Sequence, residues 1–203
     1  VIGGGFSGMA AAIRMLRAGV AVDLVESDEA WCPLGAGITI NGPTLRALQT
    51  LGLFDAFQAN GFTSVGLDMY TQQGQLIGRL QTPPPMGTDL PGGGGIMRPV
   101  LARLMSDATR AAGARVMLGQ SWQEITQDDD KAHVTFTTGE RASYDLVVGA
   151  DGVNSHLRAK FMPEVAPPQY IGQGVWRAVV PRPASVERPV MWMGHHTRLK
   201  SVV

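Results

Sequence analysis

Apolar residues recur along this chain at two spacings, and the switches between them mark its elements. Val1 and Ile2 run straight into a glycine cluster, and Met9, Ala12, Ile13 and Leu16 then repeat at helical spacing. That pattern predicts a helix over residues 9–18 stopped by Gly19, then an apolar strand over 21–25 that ends on Glu26. After a loop-like stretch holding Trp31 and Pro33, residues 35–40 read as a short extended segment flanked by glycine. Pro43 opens a helix that Gly52 ends, and a shorter helix follows over 53–59. Residues 64–70 and 75–80 read as a hairpin about Gln72-Gln73-Gly74. Residues 82–95, with three consecutive prolines and Gly92 to Gly95, predict a long loop with no packed element, poised as a mobile lid or rim. A helix over 99–112, apolar at Leu101, Leu104, Met105 and Ala108, leads into a strand over 114–118. Residues 122–126, 133–137 and 142–148 predict an antiparallel meander whose last strand stays apolar to Val148. Residues 174–180 and 190–193 predict strands of a different sheet, joined by a turn region over 181–189.

Two stretches carry chemistry. The first is Gly3-x-Gly5-x-x-Gly8, set between a strand and a helix and followed by a second strand that closes on an acid. In such a β-α-β unit the first glycine makes the tight turn, the second lets the backbone approach a pyrophosphate, and the third lets helix and strand pack closely. The helix N-terminus then offers unpaired N–H groups and the positive end of its dipole to phosphate, and Glu26 can accept hydrogen bonds from ribose hydroxyls. This unit suits NAD and FAD equally. The second stretch runs from Asp145 to Arg158, where an apolar strand ends in Asp151-Gly152 and Ser155 and Arg158 follow one helical turn apart. Taken alone it also reads as an Asp-Gly turn with a serine cap and an exposed arginine.

Composition removes several alternatives. Lysine plus arginine equals aspartate plus glutamate, 17 against 17, which gives no reason to expect nucleic acid or an anionic membrane as partner. Cys32 is the single cysteine, no run is long and apolar enough for a bilayer, and no signal peptide is visible, so the cytoplasm is the expected compartment. No Cys/His pair has metal-ligand spacing, and no Gly-x-Ser-x-Gly elbow suggests a serine hydrolase. A strand holding only two residues before its glycines and a last stretch that stops within a strand-like pattern predict a fragment at both ends.

Together the two stretches resemble the single-component FAD-dependent aromatic hydroxylases, of the p-hydroxybenzoate and salicylate hydroxylase type. The resemblance rests on Gly3, Gly5 and Gly8 with Glu26, and on the D-G-x-x-S-x-x-R pattern at Asp151, Gly152, Ser155 and Arg158. It rests more loosely on residues 35–40 and on Ile96-Met97-Arg98 at the start of the long helix. It implies an α/β fold: a Rossmann-like FAD-binding domain over 1–66 and 96–163, with a parallel sheet and a meander. A mainly β substrate domain follows from 67–95 and 164–203, incomplete at its C-terminal end. The family's Gly-Asp motif occurs nowhere in this chain and is expected in a missing C-terminal half.

For the site, the resemblance implies that Gly3, Gly5, Phe6, Ser7 and Gly8 form the pyrophosphate loop, with Glu26 on the adenosine ribose and Ser27 beside it. By the same resemblance Arg98 would reach FAD from its helix start, the backbone near Trp122 would lie by the adenine, and Asp151, Gly152, Ser155 and Arg158 would serve FAD and transient NAD(P)H contact. Gly37 passes beside the flavin ring, where Thr39 faces the substrate. Tyr70, Arg177 and His196 are further substrate-side candidates, Arg177 for a substrate carboxylate, and each is weighed against a surface or structural role. The implied reaction uses NADH or NADPH and O2, through a flavin hydroperoxide, to hydroxylate a small aromatic or heteroaromatic compound. An epoxidase, a reductase or a non-catalytic dinucleotide-binding module are the alternatives. No catalytic base stands out, and oligomeric state stays open, a homo-oligomer included.

Overall fold

The computed structural model describes residues 1–33 and 35–194, and the backbone of 199–202. In chain order the elements are α1 (Phe6–Arg17), β1 (Asp23–Glu26), β2 (Gly37–Asn41), α2 (Gly42–Thr50), α3 (Phe54–Asn60), β3 (Phe62–Ser64), β4 (Gly66–Thr71), β5 (Leu76–Gln81) and β6 (Gly93–Met97). There follow α4 (Arg98–Ala111), β7 (Arg115–Leu118), β8 (Trp122–Gln127), β9 (Ala132–Phe136), β10 (Arg141–Tyr144), α5 (His156–Phe161), β11 (Val190–Met193) and β12 (Leu199–Val202). They gather into two compact units, Val1–Pro33 with Ala102–Val175, and Leu34–Leu101 with Trp176–Val203.

In the first unit β1 and β7 pair in parallel, from Asp23 opposite Arg115 to Glu26 opposite Leu118. Ile2 extends this layer by parallel bridges to Val25 on one side and Gly149 on the other. Helix α1 buries Met9, Ala12 and Ile13 of the four positions its periodicity marked and half-buries the fourth, Leu16, and it carries Arg14 and Arg17 in its last turn, where the dipole favours cations. Strands β8, β9 and β10 form the antiparallel meander. Its inner face closes a core of Val25, Met117, Ile125, Val134, Phe136 and Leu157 around Ile2. The Tyr144 hydroxyl donates to Asp23 Oδ2 at 2.7 Å and so ties the meander to the start of β1. Burial, and then that carboxylate, push the Tyr144 phenol well above its ordinary range.

The second unit holds two sheets. One has the order β2-β6-β3, antiparallel throughout, and the other β12-β11-β4-β5. Helix α2 starts where the Asn41 side chain accepts the Thr44 N–H at 3.0 Å, with Pro43 in its first turn. Ile40, Leu45, Leu48, Leu51, Leu53, Phe57, Leu90, Ile96 and Leu101 are the buried apolar residues of this unit among those described.

Three expectations are corrected. Gly93, Gly94 and Gly95 are not loop: they form most of β6, the central strand of its sheet, with β2 and β3 on either side. In the rest of the stretch the Gly92 backbone packs against the Thr82 carbonyl and Leu90 is buried, while Met86 between them is exposed. Residues 174–180 form no strand; they are irregular and exposed, with the Trp176 side chain fully in solvent, because no described strand pairs with them. The last meander strand stops at Tyr144. Residues 145–148 leave it to run beside Ile2, whose N–H donates to the Val148 carbonyl at 2.9 Å, while Leu146 turns outward.

Candidate functional site

The glycine turn sits where the first strand meets α1. Gly3 has φ +103°, a conformation side chains other than glycine's rarely adopt, and a Cβ there would strike the Ala150 carbonyl. A Cβ on Gly8 would strike the Gly3 carbonyl, so the first turn of α1 lies directly on the strand end. Gly5 is different: a Cβ added to it meets nothing within 4 Å. No side chain caps α1 at Gly5, so the N–H groups of its first turn carry no side-chain cap. Phe6 is half-buried and Ser7 exposed in that turn.

Glu26 closes the unit. Its Oε2 accepts the Gly4 N–H at 2.7 Å, and its Oε1 accepts the Asp28 N–H at 2.8 Å and the Ser27 hydroxyl at 3.0 Å. Ser27 therefore positions the acid as well as standing next to it. The carboxylate is thus oriented before any ligand arrives. The Gln120 N–H donates to the Glu26 carbonyl at 3.3 Å, which brings the approach to β8 alongside the acid. Trp122 itself is half-buried against the core, with the Lys160 ammonium 5.4 Å from its ring centroid.

The second motif lies beside the first. The Ala150 N–H donates to the Ile2 carbonyl at 2.7 Å, and Gly152 turns with φ +86°. Asp151 Oδ1 accepts the Ser155 hydroxyl at 2.5 Å and Oδ2 accepts the Leu157 N–H at 3.1 Å. Ser155 caps α5 by accepting the Arg158 N–H at 2.9 Å, and Arg158 Nη2 returns to the Val153 carbonyl at 2.7 Å. Burial works to raise the Asp151 carboxyl, but the Ser155 hydroxyl and the backbone N–H groups outweigh it and hold the carboxyl below its usual value. A groove of about 970 Å³ is lined by Ser7 from the glycine turn and by Asp151, Gly152, Ser155 and Arg158. Motifs more than 140 residues apart in sequence thus share one surface.

Other candidates fall in the second unit. Arg98 is the first residue of α4, where its N–H donates to the Ala36 carbonyl at 3.1 Å and its side chain lies against Gly35. Gly37 and Thr39 are in β2, and Thr39 is exposed opposite Gly95. Tyr70 lies on β4, its ring tilted 31° to that of Trp192 of β11 with 6.1 Å between ring centroids. Arg177, expected on a strand, lies on irregular chain, and its guanidinium donates to the Gly37 carbonyl at 3.0 Å. His196 lies outside the described residues. Among the described residues no three His, Cys, Asp or Glu side chains gather as a metal site, and no helix is long and apolar enough to cross a membrane.

Two participants escaped the sequence reading, Gly4 and Trp31. Trp31 is buried, and its indole N–H donates to the Gly4 carbonyl at 2.7 Å. Its φ of +44° is the one positive value on a non-glycine among the described residues, a conformation that costs roughly 1–2 kcal/mol. A large aromatic in the polar stretch after Glu26 was the available signal, since such a side chain must be buried against something.

The FAD binding domain family matches residues 1–197. The chain is 31% identical over 198 residues to 2-heptyl-3-hydroxy-4(1H)-quinolone synthase of Pseudomonas aeruginosa, covering 97% of this chain and 50% of that one. It is 31% identical over 187 residues to 6-hydroxynicotinate 3-monooxygenase of Bordetella bronchiseptica, covering 90% and 48%. Its fold matches the crystal structure of Klebsiella pneumoniae HpxO complexed with FAD and uric acid, with TM-score 0.67 and 26% identity over 79% of this chain and 40% of that one. The chain spans about half the length of the curated relatives it matches. It belongs to the FAD binding domain family.

Proposed function

We propose that the protein is a monooxygenase that uses FAD, NADH or NADPH, and O2 to hydroxylate a small aromatic or heteroaromatic compound. The observation that carries this reading is the Glu26 carboxylate, held by the Gly4 N–H at 2.7 Å beside open space at Gly5. The fit to FAD is good on the chain's own terms. An oriented carboxylate suits ribose hydroxyls, and uncapped helix N–H groups suit a pyrophosphate. In this reading Gly3, Gly5, Phe6, Ser7 and Gly8 form the phosphate turn, Glu26 and Ser27 take the adenosine, and Trp122 lies near it. Asp151, Gly152, Ser155 and Arg158 contribute from the strand end at Gly149, and Arg98 and Gly37 are the further FAD candidates.

Bound FAD would supply the redox chemistry, accepting reducing equivalents from the pyridine nucleotide and activating O2. The chain's task is to bind, to orient the substrate and to keep water away from the reacting atoms. Thr39, Tyr70 and Arg177 are the substrate-side candidates within the described residues. Two relatives have names built on nitrogen heteroaromatics, a nicotinate and a quinolone, which supports a heteroaromatic or aromatic substrate here.

Reconstitution with FAD tests the reading, followed by a screen of aromatic acids for stimulation of NADH or NADPH oxidation with O2 uptake. Flavin uptake and a substrate-stimulated rate are expected. No flavin uptake would overturn the cofactor assignment, and flavin-dependent NAD(P)H oxidation without oxygenated product would overturn the hydroxylase. Glu26→Ala should fold yet lose FAD retention by roughly tenfold or more, as removal of a charged hydrogen-bond acceptor does.

A further inference from the structure

We infer that Trp31 is a positioning residue for the adenosine diphosphate half of FAD, acting through the Gly4–Gly5 peptide; this rests on the cofactor assignment proposed above. The Gly4 carbonyl accepts the Trp31 indole N–H at 2.7 Å, and the Gly4 N–H donates to Glu26 Oε2 at 2.7 Å. Gly4 is therefore gripped at both ends of its residue. A trans peptide sets its C=O and the following N–H antiparallel. Holding the Gly4 oxygen from the Trp31 side aims the Gly5 N–H the opposite way. The same peptide leads into the turn where an added Gly5 Cβ would meet nothing, the space a pyrophosphate needs.

Three further observations show that the indole is placed for this. A Cβ on Gly4 would sit 2.5 Å from Trp31 Nε1 and 2.9 Å from Glu26 Cβ, so glycine there is what allows both groups to close on the turn. The loop carrying Trp31 is tied by Asp28, whose carboxylate accepts the Ala30 N–H at 3.0 Å and the Cys32 N–H at 3.3 Å. The Arg110 guanidinium lies 5.0 Å from the Trp31 ring centroid, covering its outer side. Strained backbone persists where its surroundings over-determine it, and here they do so to deliver one N–H to one carbonyl. Trp31 is distinct from Glu26 in kind: it orients a donor rather than touching the ligand.

The test compares wild type with Trp31→Phe, which keeps a ring beneath Arg110 and deletes the donor. Affinity for FAD, and for ADP as the probe of the half concerned, is measured on each apoprotein, with melting temperature recorded alongside. Both affinities should fall by roughly 10-fold, the scale of one hydrogen bond. In amide NMR spectra the Gly5 resonance should shift on ADP addition in wild type and shift less in the variant, a change that mere destabilisation would not produce. Folded Trp31→Phe with wild-type ADP affinity overturns the inference while leaving the cofactor assignment intact; wild type that takes up no FAD overturns the assignment itself. Should Trp31→Phe not fold, Arg110→Met, at an exposed position, decides the matter. A loss of ADP affinity of roughly 2-fold or more supports the role of the stacked indole, and unchanged affinity contradicts it.

Discussion

Two stretches of this chain are dense in glycine, and they use it in opposite ways. At Gly3 to Gly8 the missing side chains leave a tight turn and a space: Gly3 takes a left-handed φ, and Gly5 faces nothing. At Gly92 to Gly95 the missing side chains are replaced by neighbours. A Cβ on Gly94 would strike the Phe62 carbonyl and lie 3.1 Å from the fully buried Phe57 ring, and neither Gly93 nor Gly94 is left-handed. The first stretch leaves open space at Gly5, and the second lets an aromatic side chain rest on sheet backbone. Glycine content alone does not separate them; the contrast lies in what a Cβ would meet at Gly5, which is nothing, and at Gly94, which is backbone and a buried ring.

Substitutions at the two stretches should therefore diverge. The largest effect is expected at Gly94→Val, where the added branches press on backbone that cannot yield. Urea unfolding should show a loss of about 3 kcal/mol. Gly5→Ala should leave unfolding free energy within about 0.5 kcal/mol of wild type, yet weaken FAD binding at least roughly tenfold by intruding on the phosphate space. If Gly5→Ala instead unfolds the protein and Gly94→Val does not, the contrast drawn here is inverted. A smaller effect is expected from Tyr144→Phe, which deletes the hydroxyl bonded to Asp23 and should cost about 1 kcal/mol in the same assay.

The smallest effect is a pH dependence at Asp151. Its carboxyl lies below the usual value in the folded chain, so the unfolded chain binds that proton more tightly. Stability from the Ser155 and Leu157 bonds is complete above the unfolded value of about 4 and is lost as pH falls through the lower folded value. Melting temperatures of wild type and Asp151→Asn should differ by a constant amount from neutral pH to about 5 and converge below about 4. A gap that widens with acid would contradict the sign.

The legible parts of the sequence were those whose cause is local. Helix α1 announces itself through Met9, Ala12 and Ile13, and Gly3 and Glu26 stand at fixed points of a unit whose order is its own signature. Asp151 and Ser155 bond to groups within six residues, so their roles are written in one short stretch. Strand β6 was not legible, because glycine has no strand preference of its own and the pairing comes from β2 and β3 with Phe57 beneath. Residues 174–180 show the converse: Val175, Val179 and Val180 suit a strand by propensity, yet each is exposed and no described strand meets them. The burial of Trp31 could be anticipated, but its partner could not, since that carbonyl is 27 residues away on a glycine with no side chain to read.

The placement of the adenosine diphosphate of FAD on the Val1–Glu26 unit can be tested directly by amide NMR of the apoprotein during titration with ADP. Resonances of Gly5, Phe6 and Ser7, and those of Gly4 and Asp28 around the Glu26 carboxylate, should shift together and saturate with one affinity. Saturable shifts confined to residues outside this turn, or none at all, would contradict the assignment.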